Sequence, residues 1–227
     1  MPQPDDTTCG PTCLHAVYRY YDDAITIKQV VSEVTHLESG GTLAVFLACH
    51  ALRRGYSATI FTYNLHFFDP TWFHPTGQNL RKKLIAQAEF KKDNARLQVA
   101  TRAYLEFLDL GGKIYFDDLT RALIRLHLRR SVPILTGLSS TYLYQSIREF
   151  GINGDEDDVR GEPAGHFVVL SGYDKAARTV YVADPYHRNP VANEQNYAAN
   201  IDRVLCAILL GVLTHDANFL IIQPKKK

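Results

Sequence analysis

The chain has 227 residues, of which 46% are hydrophobic and 22% are charged, and its formal net charge at pH 7 is +1. This composition is typical of an ordinary soluble globular protein. The small net charge argues against a nucleic-acid binder, which usually carries a strong basic excess. The most apolar late run, residues 204–213, is too short to span a bilayer, and no apolar signal region precedes Cys9.

The cysteine count indicates a reducing compartment. The four cysteines form no dense disulfide scaffold, so we expect a cytoplasmic protein. Cys9 and Cys13 have a C-x3-C spacing, but no second close Cys/His pair completes a zinc pattern, so we expect no metal site and no cofactor. Cys13, Cys49 and Cys206 are each predicted to be core thiols, and His50 is predicted to lie near a polar helix face without a partner.

Helices dominate the first sixty residues. Pro11 is tolerated in a first helical turn, and Thr26 and Thr42 are candidate N-caps. The predicted helices cover residues 10–21, 27–34 and 43–54, and an alternating run at 56–63 predicts a strand. Three helices followed by a strand favour an α+β domain.

The middle of the chain, residues 64–128, is predicted to be an inserted helical segment that covers the site. It starts with an aromatic loop at residues 67–75, which we interpret as a hydrophobic plug rather than the wall of a groove. Residues 79–107 carry a helical apolar stripe, and residues 119–128 predict a further helix after Asp117-Asp118.

The last hundred residues contain most of the predicted strands. Strands are predicted at 131–138, 165–173, 179–185 and 218–224, and helices at 142–150 and 200–213. An acidic loop at 154–158 lacks the spacing and closing glutamate of a calcium loop.

Two short stretches carry residues suited to covalent catalysis. Cys9 lies at a predicted helix start, where unpaired N–H groups and the helix dipole favour the thiolate, which is the nucleophilic form. His166 begins one strand of a predicted hairpin and Asp184 ends the other, so the two side chains should meet. A carboxylate beside an imidazole holds its orientation and tautomer.

This pattern resembles the bacterial bacteriocin-processing cysteine peptidases, the leader-cleaving domains of peptide-exporting ABC transporters in the papain-like superfamily. The resemblance rests on Gln3 six residues before Cys9, on the Cys9-Gly10-Pro11 helix start, on the Gly165-to-Val169 strand and on Asp184-Pro185. It covers roughly residues 3–60 and 130–186. Thr8 stands where the family usually has aspartate, the middle block exceeds the family's, and no transporter domain follows.

The resemblance implies a single papain-like domain over residues 1–227. N-terminal helices would pack on an antiparallel sheet, with the helical insertion at about 64–128. It also implies a peptide or amide substrate and an association with a peptide-export or peptide-modification system.

Residue chemistry and resemblance together predict a hydrolase. Cys9 would attack a carbonyl carbon, His166 would move the proton, Asp184 would orient His166, and the Gln3 amide would stabilise the oxyanion. An acyltransferase or transpeptidase of the same fold would pass the acyl group to an amine and has the same residues. A non-catalytic peptide-binding module is the alternative from another class, although such relatives typically lack the cysteine.

Overall fold

The computed structural model describes residues 2–38, 40–74, 79–151, 153–192 and 194–225. Within these ranges the helices are α1 (Cys9–Tyr20), α2 (Ile27–Glu33), α3 (Ala44–Arg53), α4 (Leu80–Phe90), α5 (Ala95–Asp109), α6 (Arg121–Leu128), α7 (Ser140–Tyr144) and α8 (Ile201–Leu210). Short 3-10 helices lie at Pro70–Trp72 and Gly211–Thr214.

The strands are β1 (Tyr56–Thr62), β2 (Lys113–Tyr115), β3 (Ile134–Ser139), β4 (Glu149–Phe150), β5 (Asp155–Glu156), β6 (Gly165–Asp174), β7 (Thr179–Ala183), β8 (Asn196–Asn200) and β9 (Asn218–Pro224). Seven of them form one sheet in the order β2-β1-β9-β3-β6-β7-β8, while β4 and β5 form a separate hairpin. The β1–β2 pair is parallel and the other pairs of the main sheet are antiparallel. The predicted α+β class is therefore confirmed.

Both faces of the main sheet are covered, and strand β6 shows how. Successive side chains of a strand point to opposite faces. Phe167 and Val169 therefore join the apolar cluster that contains α1, α3 and α5, whereas Val168 and Leu170 join the cluster that contains α6 and α8. The N-terminal helices do pack on the sheet, as predicted, and α8 covers the other face.

The segment 64–128 contributes to the main core. Tyr104 and Phe107 of α5 are almost fully buried in the cluster shared with α1 and α3, and Arg53 of α3 forms an ion pair with Glu106 of α5. Strand β2 joins the main sheet beside β1. That this segment is an insertion relative to other family members stays a prediction.

In its described residues, the aromatic loop packs into the core as the predicted hydrophobic plug. Phe67 and Phe68 are 3% and 1% exposed and pack against Tyr104. Pro75, the last residue of the predicted loop, lies outside the described residues.

Some of the predicted helix ends differ from those in the structure. Thr26 does cap α2, in a capping box with Gln29. Thr42 does not cap α3, because its hydroxyl donates to the Thr35 carbonyl and Leu43 takes the cap position. The helix predicted over 142–150 is α7, which ends at Gln145 because that residue adopts a left-handed conformation with φ of 56°.

Two side chains lie elsewhere than predicted. Cys206 is exposed on the outer side of α8, so the prediction of a core thiol is wrong there. His50 is buried rather than on a polar face, where its ring bonds with the Tyr18 hydroxyl at 2.7 Å and with Glu33 at 3.0 Å. In the described part of the chain, no helix combines the length and apolar character needed to cross a membrane.

Candidate active site

Cys9 is the first residue of α1 and is partly exposed. Over the described residues, its backbone N–H has no hydrogen-bond acceptor, as expected at a helix start. The helix is held against β6 at this point. A Cβ at Gly10 would touch Thr42, Leu47 and Phe167, and the Cys13 thiol donates to the Phe167 carbonyl oxygen at 3.2 Å. This packing brings Cys9 beside the strand that carries His166.

His166 and Asp184 are joined by a hydrogen bond of 2.8 Å between Nε2 and Oδ1. Their meeting depends on a bulge, because the β6–β7 register shifts between Leu170 and Gly172, which leaves Ser171 as an extra residue. Below the bulge Val169 faces Ala183, so Asp184 continues opposite Val168, on the same sheet face as His166. Without the extra residue, Asp184 would oppose Val169 and point to the other face.

The Asp184 carboxylate is almost fully buried and accepts four hydrogen bonds. Oδ1 accepts from His166 and, at 2.9 Å, from the Tyr186 backbone N–H. Oδ2 accepts from the Tyr144 and Tyr197 hydroxyls, each at 2.8 Å. Burying a carboxylate has a small free-energy cost only when hydrogen bonds satisfy its lone pairs, and these four bonds do so.

These contacts decide the charges at the site. Burial opposes ionisation of Asp184, but the hydrogen bond and charge of His166, together with the bond from Tyr144, outweigh it and lower the pKa of this carboxyl. Burial likewise opposes a charged His166. The hydrogen bonds to Asp184 and to the Cys9 thiol outweigh that effect and raise the pKa of His166 to about 10. The imidazole therefore lies between the Cys9 sulfur and a carboxylate, and both favour its protonated form.

Gln3 is held next to the end of the Asp184 strand. Its backbone N–H donates to the Pro185 carbonyl oxygen at 3.0 Å. Its side-chain oxygen is buried and, as far as the described residues go, has no hydrogen-bond partner. A turn in which the Thr8 N–H donates to the Asp5 carbonyl leads from Gln3 to Cys9. The N-terminal segment with Gln3 and Cys9 thus lies beside the start of β6 and the end of β7, where His166 and Asp184 are found.

Comparison with known proteins shows the family of the chain. The model of the Peptidase_C39 like family matches residues 1–204. The chain belongs to this family. No curated protein matches it in sequence.

Three solved peptidase structures align with this chain at low sequence identity. A C39-like peptidase from Bacillus anthracis aligns with a TM-score of 0.52 and 11% identity over 100% of this chain and 94% of its own. A double glycine motif protease from an AMS/PCAT transporter, in complex with its leader peptide, has a TM-score of 0.46 and 13% identity over 99% and 90% of the two chains. The peptidase domain of Streptococcus ComA aligns with a TM-score of 0.45 and 13% identity over 99% of this chain and 97% of its own. The first of these likenesses identifies the α+β fold as papain-like.

Residues other than the predicted ones also shape the C39-like site. Tyr144 follows β3 on α7 and Tyr197 lies on β8, and both were missed. The alternation Asn196-Tyr197-Ala198 indicates that Tyr197 faces a core, but nothing in the local pattern indicates a carboxylate partner. Cys13 and Cys49 are not suited to act as nucleophiles, because both thiols are buried and burial raises the pKa of both. Among the described residues, no group of three or more metal-binding side chains is found.

Proposed function

We propose that this C39-like protein is a cysteine peptidase or amidase that hydrolyses a peptide or amide bond through a thioester on Cys9. The observation that carries this proposal is the 2.8 Å hydrogen bond between His166 and the buried Asp184, with the Cys9 thiol bonded to the same imidazole. A thiol paired with an imidazolium reacts as a thiolate.

The reaction follows from these contacts. The Cys9 Sγ attacks the carbonyl carbon and its proton resides on His166. Since Nε2 of His166 is bonded to Asp184, Nδ1 is the nitrogen left to face the thiol and the leaving group. The tetrahedral intermediate collapses, the carbon–nitrogen bond breaks, and His166 gives its proton to the departing amine. Water, deprotonated by His166, then attacks the thioester and releases the acid and the thiol.

The oxyanion would be stabilised by the Cys9 backbone N–H and the Gln3 side-chain amide. Support comes from the free N–H at the start of α1 and from the backbone bond that fixes Gln3 beside Pro185. The family and this chemistry favour a peptide or amide substrate. A cytoplasmic location and a link to peptide export or modification stay predictions.

The nucleophile is tested by alkylation with iodoacetamide at neutral pH, followed by peptide mass spectrometry. Cys9→Ala should remove the fast-reacting site, and Cys13→Ala should leave it, because the Cys13 thiol is buried and bonded to Phe167. The labelling must be resolved by site, since the exposed Cys206 will react as an ordinary thiol. Fast labelling at Cys13, or at no cysteine beyond the Cys206 rate, would overturn the proposal.

The oxyanion role is tested separately with Gln3→Ala. Turnover of a cleaved peptide should fall about 10²–10³-fold, the usual effect of removing one oxyanion donor, whereas Cys9 alkylation should persist. Thermal unfolding should change little, because the backbone bond to Pro185 remains. An unchanged turnover would move the oxyanion role to another group.

The fate of the acyl group distinguishes a hydrolase from an acyltransferase. Purified protein is incubated with peptide substrates, with and without added amines, and the products are identified by mass spectrometry. Free acid as the main product in both cases supports hydrolysis. Amide products that dominate whenever an amine is present would identify a transferase.

A further inference from the structure

Asp216 is a buried acidic residue outside the proposed triad. It precedes β9, is 8% exposed, and follows His215, which has a left-handed φ of 66°. Its backbone is fixed at both ends: its N–H donates to the Gly211 carbonyl at 2.8 Å, and its carbonyl accepts from the Asn218 N–H at 2.6 Å. The carboxyl group therefore has a defined position.

Three glycines make room for this residue. A Cβ on Gly137 of β3 would collide with the Asp216 carbonyl oxygen, and one on Gly211 would crowd its carbonyl carbon. A Cβ on Gly165 would collide with Asp216 Oδ2 itself. The carboxyl group thus packs on the Cα of the residue that directly precedes His166. Only glycine at position 165 permits this close approach.

The charged surroundings of Asp216 are sparse. Within the described residues it forms no ion pair. Besides the Thr214 hydroxyl, the groups that act on it are Arg96 of α5 and His166 of β6, and the charge of Asp216 in turn acts on the buried Tyr104 hydroxyl of α5. On the adjoining loop, the His215 ring stacks with Phe67 and lies tilted against His66, and burial lowers the pKa of His215 to about 4, so that ring is neutral.

Burial raises the pKa of Asp216 to about 7, although Thr214, Arg96 and His166 act in the opposite direction. A buried, unpaired carboxyl is costly, and an asparagine would have the same shape without that cost. Arg96 is already committed in part to the Thr214 carbonyl, to which its Nη2 donates at 3.4 Å. The remaining cation that gains from the carboxylate is the His166 imidazolium.

We propose that Asp216 is a positioning residue for His166: its carboxylate, packed against Gly165, favours the imidazolium that the Cys9 thiol requires. This role rests on the proposed function. Asp184 bonds directly to the ring, whereas Asp216 acts through space and through the fixed backbone of Gly165. As pH rises, Asp216 loses its proton, and the new negative charge strengthens proton binding by His166.

The test is a nitrogen-15 NMR titration of His166 in the full-length protein and in Asp216→Asn. The signal is assigned by its loss in His166→Gln. The variant should move the His166 midpoint down by about half a pH unit or more, as expected for removing a nearby charge at an effective dielectric near 20. The alkylation profile of Cys9 should move with it. Asp118→Asn, which removes an exposed acid, should move neither.

The other outcomes are decisive as well. A lower unfolding temperature with an unchanged His166 midpoint would show that Asp216 only supports the fold, and would overturn the role. Arg96→Met tests the contribution of Arg96 separately from that of His166. It should destabilise the loop at Thr214, to which Arg96 donates, and leave the electrostatic coupling between Asp216 and His166 intact. If the midpoint shifts but Cys9 has no enhanced reactivity, the proposed function fails and the coupling stands.

The unmodified protein supplies a readout that needs no variant. If Asp216→Asn does not fold, the His166 nitrogen signals of the unmodified chain should show a second, smaller inflection near neutral pH, where Asp216 titrates. Absence of that inflection would overturn the proposal.

Discussion

At the scale of single residues, the candidate site is built around the Asp184 carboxylate. Its four hydrogen bonds come from a strand, a short helix, a neighbouring strand and a backbone amide. They allow an ion to exist inside the protein, where an unsatisfied carboxylate would be protonated instead. The charge on Asp184 in turn sustains the charge on His166.

Tyr197→Phe tests this dependence. Removing one hydroxyl leaves Oδ2 with the Tyr144 bond alone, and we expect a loss of about 1.5–3 kcal/mol, the range for hydrogen bonds to charged groups. The pKa of Asp184 should rise. Because its folded pKa lies below the unfolded value of 3.8, its contribution to stability is complete above that value and is lost as pH falls through the folded pKa. In the variant, the loss should begin at higher pH.

The measurement is urea unfolding between pH 7 and pH 2. Tyr181→Phe is the matched control, since Tyr181 is 48% exposed on β7 and faces away from the cluster around Val180 and Val182. Equal effects of the two substitutions, or an acid limb that does not move, would contradict the role given to Tyr197.

At the scale of elements, the decisive contact is the close packing of the α1 start on β6. An alanine Cβ at position 10 would lie 2.5 Å from Thr42 Cγ2 and 3.3 Å from both Leu47 and Phe167, so the helix start would have to move. Cys9 is the neighbouring residue and would move with it. The position of Cys9 therefore depends on Gly10 having no side chain.

Gly10→Ala should therefore reduce Cys9 reactivity more than it reduces stability. Alanine improves helix propensity by about 1 kcal/mol, while overpacking costs about 1–3 kcal/mol, so the net loss of stability is small. A displacement near 1 Å can lower a reaction rate by about 10²-fold. Alkylation rates and urea unfolding are compared with those of Ala16→Gly, a change on the exposed side of α1. An unchanged Cys9 rate would contradict this account.

At the scale of the whole molecule, the main sheet separates two apolar clusters, and the middle of the chain supplies part of both. Phe107 of α5 is fully buried, and a Cβ at Gly112 would collide with its ring. Helices α4 and α5 are therefore a layer of the fold on the α3 side, whereas α6 packs in the cluster on the other face. A lid that opens independently would not contain such a residue.

Phe107→Ala should lower the free energy of unfolding by about 3–5 kcal/mol, as for other buried aromatic residues. The loss should appear in one cooperative transition, followed by circular dichroism and by tryptophan fluorescence. Phe90→Ala is the control, because Phe90 is 90% exposed at the end of α4 and should change stability by less than about 0.5 kcal/mol. If Phe107→Ala melted only the middle segment, residues 64–128 would be a separate unit.

Much of the fold could be predicted from local patterns. The period of apolar residues indicated α1, α2 and α3, alternation indicated β1, and short runs of strand-forming residues indicated β6, β7 and β9, because these signals depend on neighbours a few residues apart. Helix ends were less predictable, since the Thr42 hydroxyl donates to Thr35 instead of capping α3, and Gln145 takes a left-handed conformation that no local pattern indicated. Cys206 was misplaced for a similar reason: α8 is apolar on most sides, and only its packing shows which side faces solvent.

The sequence by itself determined the chemistry that this protein can carry: a thiol at a helix start, a histidine and an aspartate on one hairpin, and a glutamine near Cys9. Those features lie within short stretches, where spacing and residue type are enough. The tertiary structure alone decided which groups meet. Ser171 puts Asp184 on the face of His166, Tyr197 arrives from β8, and three glycines admit Asp216 beside Gly165. Each depends on contacts between segments far apart in the chain, which only packing can bring together.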